Sequence, residues 1–278
     1  MLAGCVTANV DPGAVPVQHA PPGSGDLAGL AEPSIPPLPA GRVLDEPVTL
    51  VPGVKAGLVF VFEKRQADRT TFDSKGPFGT TTTDMVSLTS FKGKCAVLEA
   101  EGGIPTKARV TCDPDCQKGT TIFGDLDKVH AISSYAGKVL TVSVNRLGTV
   151  IVDAPAVDAN DQTDLEEEAQ ALLEHPSYMP PDPKPLKAGD EWDGVAPHVT
   201  SHCRLVAVRE IDGRKVAEVQ IRELRFHRER TGPVFVDTET GLVLSSRLDY
   251  EGTEHGDVGD KPVHAIMLRR ERARLASQ

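Results

Sequence analysis

The chain has 278 residues, 39% of them hydrophobic and 25% charged, which suits one large domain or two small ones of roughly 100–200 residues each. Its 40 acidic and 30 basic side chains give a net charge of −10, which argues against a nucleic-acid partner, because neutralising phosphates takes clustered Lys and Arg. No stretch approaches the roughly 20 apolar residues of a transmembrane helix, so any membrane attachment is expected through a tether.

Nine of the first 47 residues are proline, mixed with Gly, Ala and Ser. Proline offers no amide donor and glycine favours no single backbone state, so neither helix nor sheet propagates there. Residues 6–45 are therefore expected to form an extended, largely disordered linker ahead of a β-rich body spanning 46–278.

The chain opens MLAGC. Leu2, Ala3 and Gly4 before Cys5 resemble the lipobox of bacterial lipoproteins, so residues 1–5 read as a lipobox remnant. The resemblance implies a signal peptide cut before Cys5, acyl chains such as palmitate on its thiol, and anchoring in the cell envelope. Val6 in place of Asp implies the outer membrane rather than retention at the inner one. Only Met1 precedes the motif, where a signal peptide would carry basic and apolar regions. The expectation is that the start was assigned too late or the chain was trimmed.

From Val48 the texture changes. In LVFVFEK, Leu58, Phe60 and Phe62 alternate with Val59, Val61 and Glu63. TTTTDMVSLTSF and KCAVLEA continue the vocabulary of strands. KVLTVSVN sets Leu140, Val142 and Val144 against Thr141, Ser143 and Asn145. Such alternation predicts an antiparallel sheet with one buried and one wet face. One amphipathic helix is predicted over 163–175. Thr163 and Glu166 form its capping box, Leu165, Ala169, Leu172 and Leu173 share a face, and Pro176 stops it.

Segments on either side of that helix echo each other. CAVLEAEGG at Cys95 matches CRLVAVREIDG at Cys203, and LTVSVNRLGTVIVD matches GPVFVDTETGLVLSSR. The expected architecture is mainly β: a strongly curved, half-barrel-like antiparallel sheet, with duplicated halves 46–160 and 184–278 joined by the helix packed on it. Between the halves runs MPPDPKPLKAGDEWDG, with the only tryptophan, Trp192.

The proline-rich approach to Gly189, Asp190 and Trp192 resembles a Gly-Asp-x-Trp motif of uncharacterised bacterial envelope proteins, many of them lipoproteins. In architecture these resemble the periplasmic lipoprotein-carrier fold, which implies a curved sheet over helix with an apolar concavity. The carriers lack the midpoint motif and the proline run.

With Cys5 acylated, Cys95, Cys112, Cys116 and Cys203 remain as disulfide candidates, since an exported protein favours disulfides. Cys112 and Cys116 straddle the Asp-Pro turn of TCDPDCQKG, the slightly preferred pairing, with Cys95 and Cys203 free or joined. The alternative places Cys95 opposite Cys112 across a hairpin. No metal is expected, because CDPDC lacks two further ligands for zinc. In HVTSHC, Pro197, Val199 and Thr200 favour a strand, where His198 and His202 would stand about 13 Å apart, too far to share an ion. DANDQTDLEEEA lacks the Gly and the bidentate Glu of a calcium loop.

No nucleophile elbow, zinc-protease pair, phosphate loop or dinucleotide fingerprint occurs in the chain, and no cofactor is implied. Carboxylate pairs for glycoside hydrolysis carry no sequence spacing, but an aromatic content of 4% suits a sugar cleft poorly. The expectation is a non-catalytic envelope lipoprotein that binds a lipid or other hydrophobic ligand in a curved-sheet groove. The groove candidates are Phe60, Phe62, Leu140, Val142 and Trp192. The alternative is a scaffold that joins other envelope proteins without a ligand.

Overall fold

The computed structural model describes residues 35, 37–76, 79–122, 132–144, 150–153, 165, 177–196, 199–225, 228–255 and 262–275. Among them run β1 (Arg42–Leu44), β2 (Val59–Gly76), β3 (Gly79–Glu101), β4 (Ile104–Cys112), β5 (Gln117–Ile122), β6 (Val139–Val144), β7 (Val150–Asp153), β8 (Glu191–Ala196), β9 (Val199–Ile211), β10 (Arg214–Arg225), β11 (Arg228–Asp237), β12 (Val243–His255) and β13 (Pro262–Leu275). All pair antiparallel in the order β1-β9-β10-β11-β12-β13-β2-β3-β4-β6-β7, with β5 on β3 and β8 on β9. The path is open at both ends rather than closed into a barrel. The mainly β, antiparallel expectation holds.

Two meanders build this sheet, and their ladders correspond rung by rung. In the first, Phe60 faces Cys95, Cys95 faces Val110, and Val110 faces Leu140. In the second, Trp192 faces Cys203, Cys203 faces Ile221, and Ile221 faces Gly232. Two residues along, Val97–Ala108–Val142 answers Leu205–Val219–Val234. The ladder then slips in both at the same place. Leu98 is bulged out between Val97 and Glu99, and Val206 between Leu205 and Ala207. Such a bulge bends its strand and sharpens the local twist.

Each meander opens on the same Lys-Ala-Gly turn, Lys55–Gly57 before β2 and Lys187–Gly189 before β8. Gly57 and Gly189 hold φ of 88° and 95°, a region that side chains with a Cβ resist. Each donates its N–H to the strand beyond, Gly57 to Val97 O at 2.9 Å and Gly189 to Leu205 O at 2.8 Å. The return bonds, Val97 to Leu58 O and Leu205 to Asp190 O, are both 2.9 Å.

Each meander buries its own core. The first packs Phe60, Phe62, Phe91, Val97, Val110, Tyr135, Leu140 and Val142, and the second packs Trp192, Leu205, Val219, Ile221, Val234 and Val236. Each such side chain withdrawn from water contributes about 1.5–3 kcal/mol. The lead-in segment ties the two together. Val48 and Leu50 lie in the second core and Val54 in the first, while Gly53 N–H bonds Thr240 O and Val54 N–H bonds Gly103 O.

Three expectations change. The helix over 163–175 lies outside the described residues except at Leu165, which is buried in the first core. None of the described elements is a helix, so the helix packed on the sheet is without support. The meanders instead meet edge to edge, with β13 pairing β12 on one side and β2 on the other. Finally, the body begins before residue 45. Leu38 packs beside Ile211, Val216 and Leu244, and β1 pairs with β9. Three apolar side chains around a leucine hold the chain there although Pro36, Pro37 and Pro39 surround it.

Candidate functional site

The five groove candidates all sit in core. Phe60, Phe62, Leu140 and Val142 belong to the first cluster and Trp192 to the second, none more than 7% exposed. Phe62 packs tilted on Phe91 with ring centroids 4.9 Å apart, and Phe91 meets Tyr135 edge to face at 5.6 Å. Trp192 donates its indole N–H to Tyr178 O at 3.1 Å, the partner a buried indole requires. These contacts are with protein. The structure brings the five together only as two separate fillings, one in each meander.

An open depression of about 340 Å³ lies instead over the outer surface of β8, β9, β10 and β11, where Asp193, Thr200, His202, Arg222, Leu224 and Glu229 line it. Alternation explains the placement. Along β9, Val199, Ser201, Cys203 and Leu205 are buried while Thr200, His202, Arg204 and Val206 are exposed. His202 Nδ1 lies 2.9 Å from Asp193 Oδ1, its cross-strand partner, and Arg222 donates to Glu229 at 2.7 Å. Glu229 holds the Arg222 guanidinium above its ordinary pKa, first through that hydrogen bond and then through charge. Asp193 is 82% exposed at its side chain, so the His–Asp contact sits in water. Paired charges of this kind on an exposed sheet face stabilise cross-strand pairing weakly.

HVTSHC forms a strand as expected, and it sends His202 out and Cys203 in; His198 lies outside the described residues. Among the described residues no three His, Cys, Asp or Glu side chains converge on a metal site. Sequence reasoning missed the pairing of Asp193 with His202 and of Glu191 with Arg204. The signal was present: in EWDGVAPHVTSHCR the acids at 191 and 193 and the basic residues at 202 and 204 alternate in step about a turn.

The core side of the second meander carries a charged pair. Glu223 and Arg230 face each other across β10 and β11, their side chains 11% and 7% exposed, and form a salt bridge. Asp237, 1% exposed, accepts from Thr240 N–H at 2.8 Å and Thr240 Oγ1 at 2.9 Å, and Arg214 reaches its other oxygen at 3.2 Å. This carboxylate knots the turn between β11 and β12.

The four cysteines beyond the N-terminal segment are all buried thiols; Cys5 lies outside the described residues. Cys95 and Cys203 occupy equivalent rungs, and burial pushes both thiols up to about 12. They lie in different cores on strands six ladders apart, so the structure does not bring them together. Nor is Cys95 opposite Cys112. Its partner is Val110, and Cys112 faces Gly93. That diagonal offset separates Cα atoms by roughly 7–8 Å, beyond the usual disulfide span. Cys112 and Cys116 do meet, with their thiols hydrogen-bonded to each other. The exchange lowers the Cys116 thiol, while Cys112 is raised, first by that same bond and then by burial.

No protein-family model and no curated protein matches the chain. Among solved structures it is similar to a DUF1329 family protein from Desulfovibrio piger ATCC 29098, at 6% identity over 79% of this chain and 86% of that one, with a TM-score of 0.16. A likeness at that level carries neither fold nor function across to this chain.

Proposed function

We propose that the protein is a non-catalytic lipoprotein of the bacterial cell envelope, tethered through Cys5, whose β-rich body serves as a scaffold for protein partners rather than as a carrier of lipid. The observation that carries the choice between scaffold and carrier is the packing of Phe60, Phe62, Leu140, Val142 and Trp192 against protein at 7% exposure or less. A carrier needs apolar side chains that face a ligand, and these pack into two separate protein cores. Outside, the bulged Leu98 and Val206 are 37% and 44% exposed, and Leu224 is 48% exposed beside the Asp193–His202 pair. Mixed apolar and charged surface of this kind suits a protein partner.

The tether is supported by LAGC and by the proline-rich stretch before Leu38, where the chain joins the body. The repeated Lys-Ala-Gly turn, the matched rungs and the matched bulges support an origin by duplication, and the bulges favour a curved sheet. Two experiments test the parts separately. In a chain expressed behind a signal peptide, Cys5→Ala should move the protein from membranes to the soluble fraction; unchanged fractionation would remove the anchor. Crosslinking in intact cells should then capture discrete envelope proteins on the body of the anchored form. Capture of none, with a lipid extracted from the purified chain, would favour the carrier.

A further inference from the structure

The turn between β4 and β5 holds two thiols in one buried site. Cys112 ends β4 and Cys116 precedes β5, and both side chains belong to the first core at 2% and 0% exposure. The intervening Asp113-Pro114-Asp115 has little freedom. Proline fixes one backbone angle, and Cys116 N–H closes the turn on Asp113 O at 3.3 Å. Neighbouring segments lock it from both sides. Asp113 N–H bonds Lys92 O at 3.0 Å, Ser133 N–H bonds Cys116 O at 3.0 Å, and Gly137 N–H bonds Asp113 O at 3.2 Å. Lys92 also forms a salt bridge with Asp115 through its side chain.

The sulfurs themselves are positioned. Cys116 Sγ accepts from Lys92 N–H at 3.5 Å and donates to Lys92 O at 3.2 Å. Cys112 belongs to the same core cluster, and Gly93 lies opposite it on β3. A Cβ at Gly93 would stand 2.2 Å from Thr111 O and 3.1 Å from Cys112 Cα, so only glycine lets β4 come this close.

From this geometry we infer that Cys112 and Cys116 form a native disulfide across the Asp-Pro-Asp turn, with Cys95 and Cys203 remaining thiols. The oxidant is an external disulfide, small-molecule or protein. Cys116 as thiolate attacks it, forming a mixed disulfide and expelling one thiolate. Cys112 then loses its proton and attacks the Cys116 sulfur, expelling the second. The balance is one dithiol and one external disulfide giving one protein disulfide and two thiols. Exchanging the roles of the two sulfurs leaves the balance unchanged. Both sulfurs are shielded once the turn is packed, so the bond forms as the chain folds and then resists reduction. The chemistry does not depend on the tether, although an oxidising envelope is where it would occur in the cell.

The test refolds the full chain with oxidised glutathione, then unfolds it in iodoacetamide without reductant and digests it with trypsin. Cleavage after Arg109 and Lys118 places Cys112 and Cys116 in one peptide, with Cys95 and Cys203 in others. The expected result is a Val110–Lys118 peptide two hydrogens lighter than the dithiol and unalkylated, beside alkylated Cys95 and Cys203 peptides. Alkylation of all four cysteines, or a crosslink joining any other pair, would overturn the inference. In Cys112→Ser under the same protocol, Cys116 should become alkylated or carry glutathione, and protection that persists would also overturn it. Reductant should lower the Tm of the wild-type chain but not that of the Cys112→Ser, Cys116→Ser double variant. Equal shifts in both would contradict the bond.

Discussion

The two meanders share a frame and fill it differently. Both begin at a Lys-Ala-Gly turn, place an aromatic ring beside a buried cysteine, and bulge one residue out of the third rung. Where the first carries Phe62, Gly93 and Cys112 across its strands, the second carries Gly194, Ser201, Glu223 and Arg230. An apolar rung with a thiol pair at its end is answered by a buried ion pair. Backbone hydrogen bonding and turn chemistry are thus alike in the two meanders, while the core side chains differ and each of these rungs is filled or paired.

Substitutions at matched rungs can break that comparison. The largest effects are expected at Trp192 and Phe60. Trp192→Ala and Phe60→Ala should each cost about 3–5 kcal/mol in urea unfolding. The tryptophan variant should lose more, since it also removes the indole hydrogen bond to Tyr178 O. A loss under about 1 kcal/mol at either position would show that the ring is not core. Glu223→Ala should follow at about 1.5–3 kcal/mol, because it breaks a salt bridge shielded from water, and replacing both with leucine should recover most of it. If the single and double changes cost the same, the pair is not buried as described.

The turns sharpen the comparison rather than break it. Gly57→Ala and Gly189→Ala should each cost about 1–2 kcal/mol and match one another, because the same left-handed geometry is strained in both. A large inequality would mean that the two opening turns are not equivalent. The matched cysteines give a pH signature. With thiols held at about 12 in the fold against 9.0 for an unperturbed thiol, Cys95 and Cys203 stabilise fully below pH 9 and lose that contribution as pH rises towards 12. Stability of the wild type should therefore fall more steeply over that window than in Cys95→Ala, Cys203→Ala. Parallel curves would show that the thiols are not desolvated. The smallest effect is expected from Asp193→Asn, within about 1 kcal/mol, since its contact with His202 lies in water.

Much of the sheet is legible in the sequence because alternation reports burial directly. KVLTVSVN sets Leu140 and Val142 on one face, and both are buried on β6. The strongest internal repeat, VKAGLVF against LKAGDEW, escapes a comparison of apolar patterns because Asp190 and Glu191 interrupt the second copy. The turn survives that change, since its geometry depends on glycine and main-chain bonds rather than on apolar neighbours. The groove is illegible for a different reason. Alternation says that Phe60 and Trp192 are covered, but not whether protein or a ligand covers them. Leu38 reads as linker because its neighbours are proline, and local composition carries no trace of Ile211, Val216 and Leu244 gathered around it by long-range pairing.

The scaffold reading stands on the burial of Phe60, Phe62, Leu140, Val142 and Trp192 against protein, and one measurement addresses it most directly: mass spectrometry of the purified chain under native conditions, repeated after extraction with organic solvent. The account predicts the mass of the polypeptide body with no apolar molecule bound beyond acyl chains attached at Cys5. A stoichiometric lipid or other apolar compound held by the native body and released only in organic solvent would contradict it.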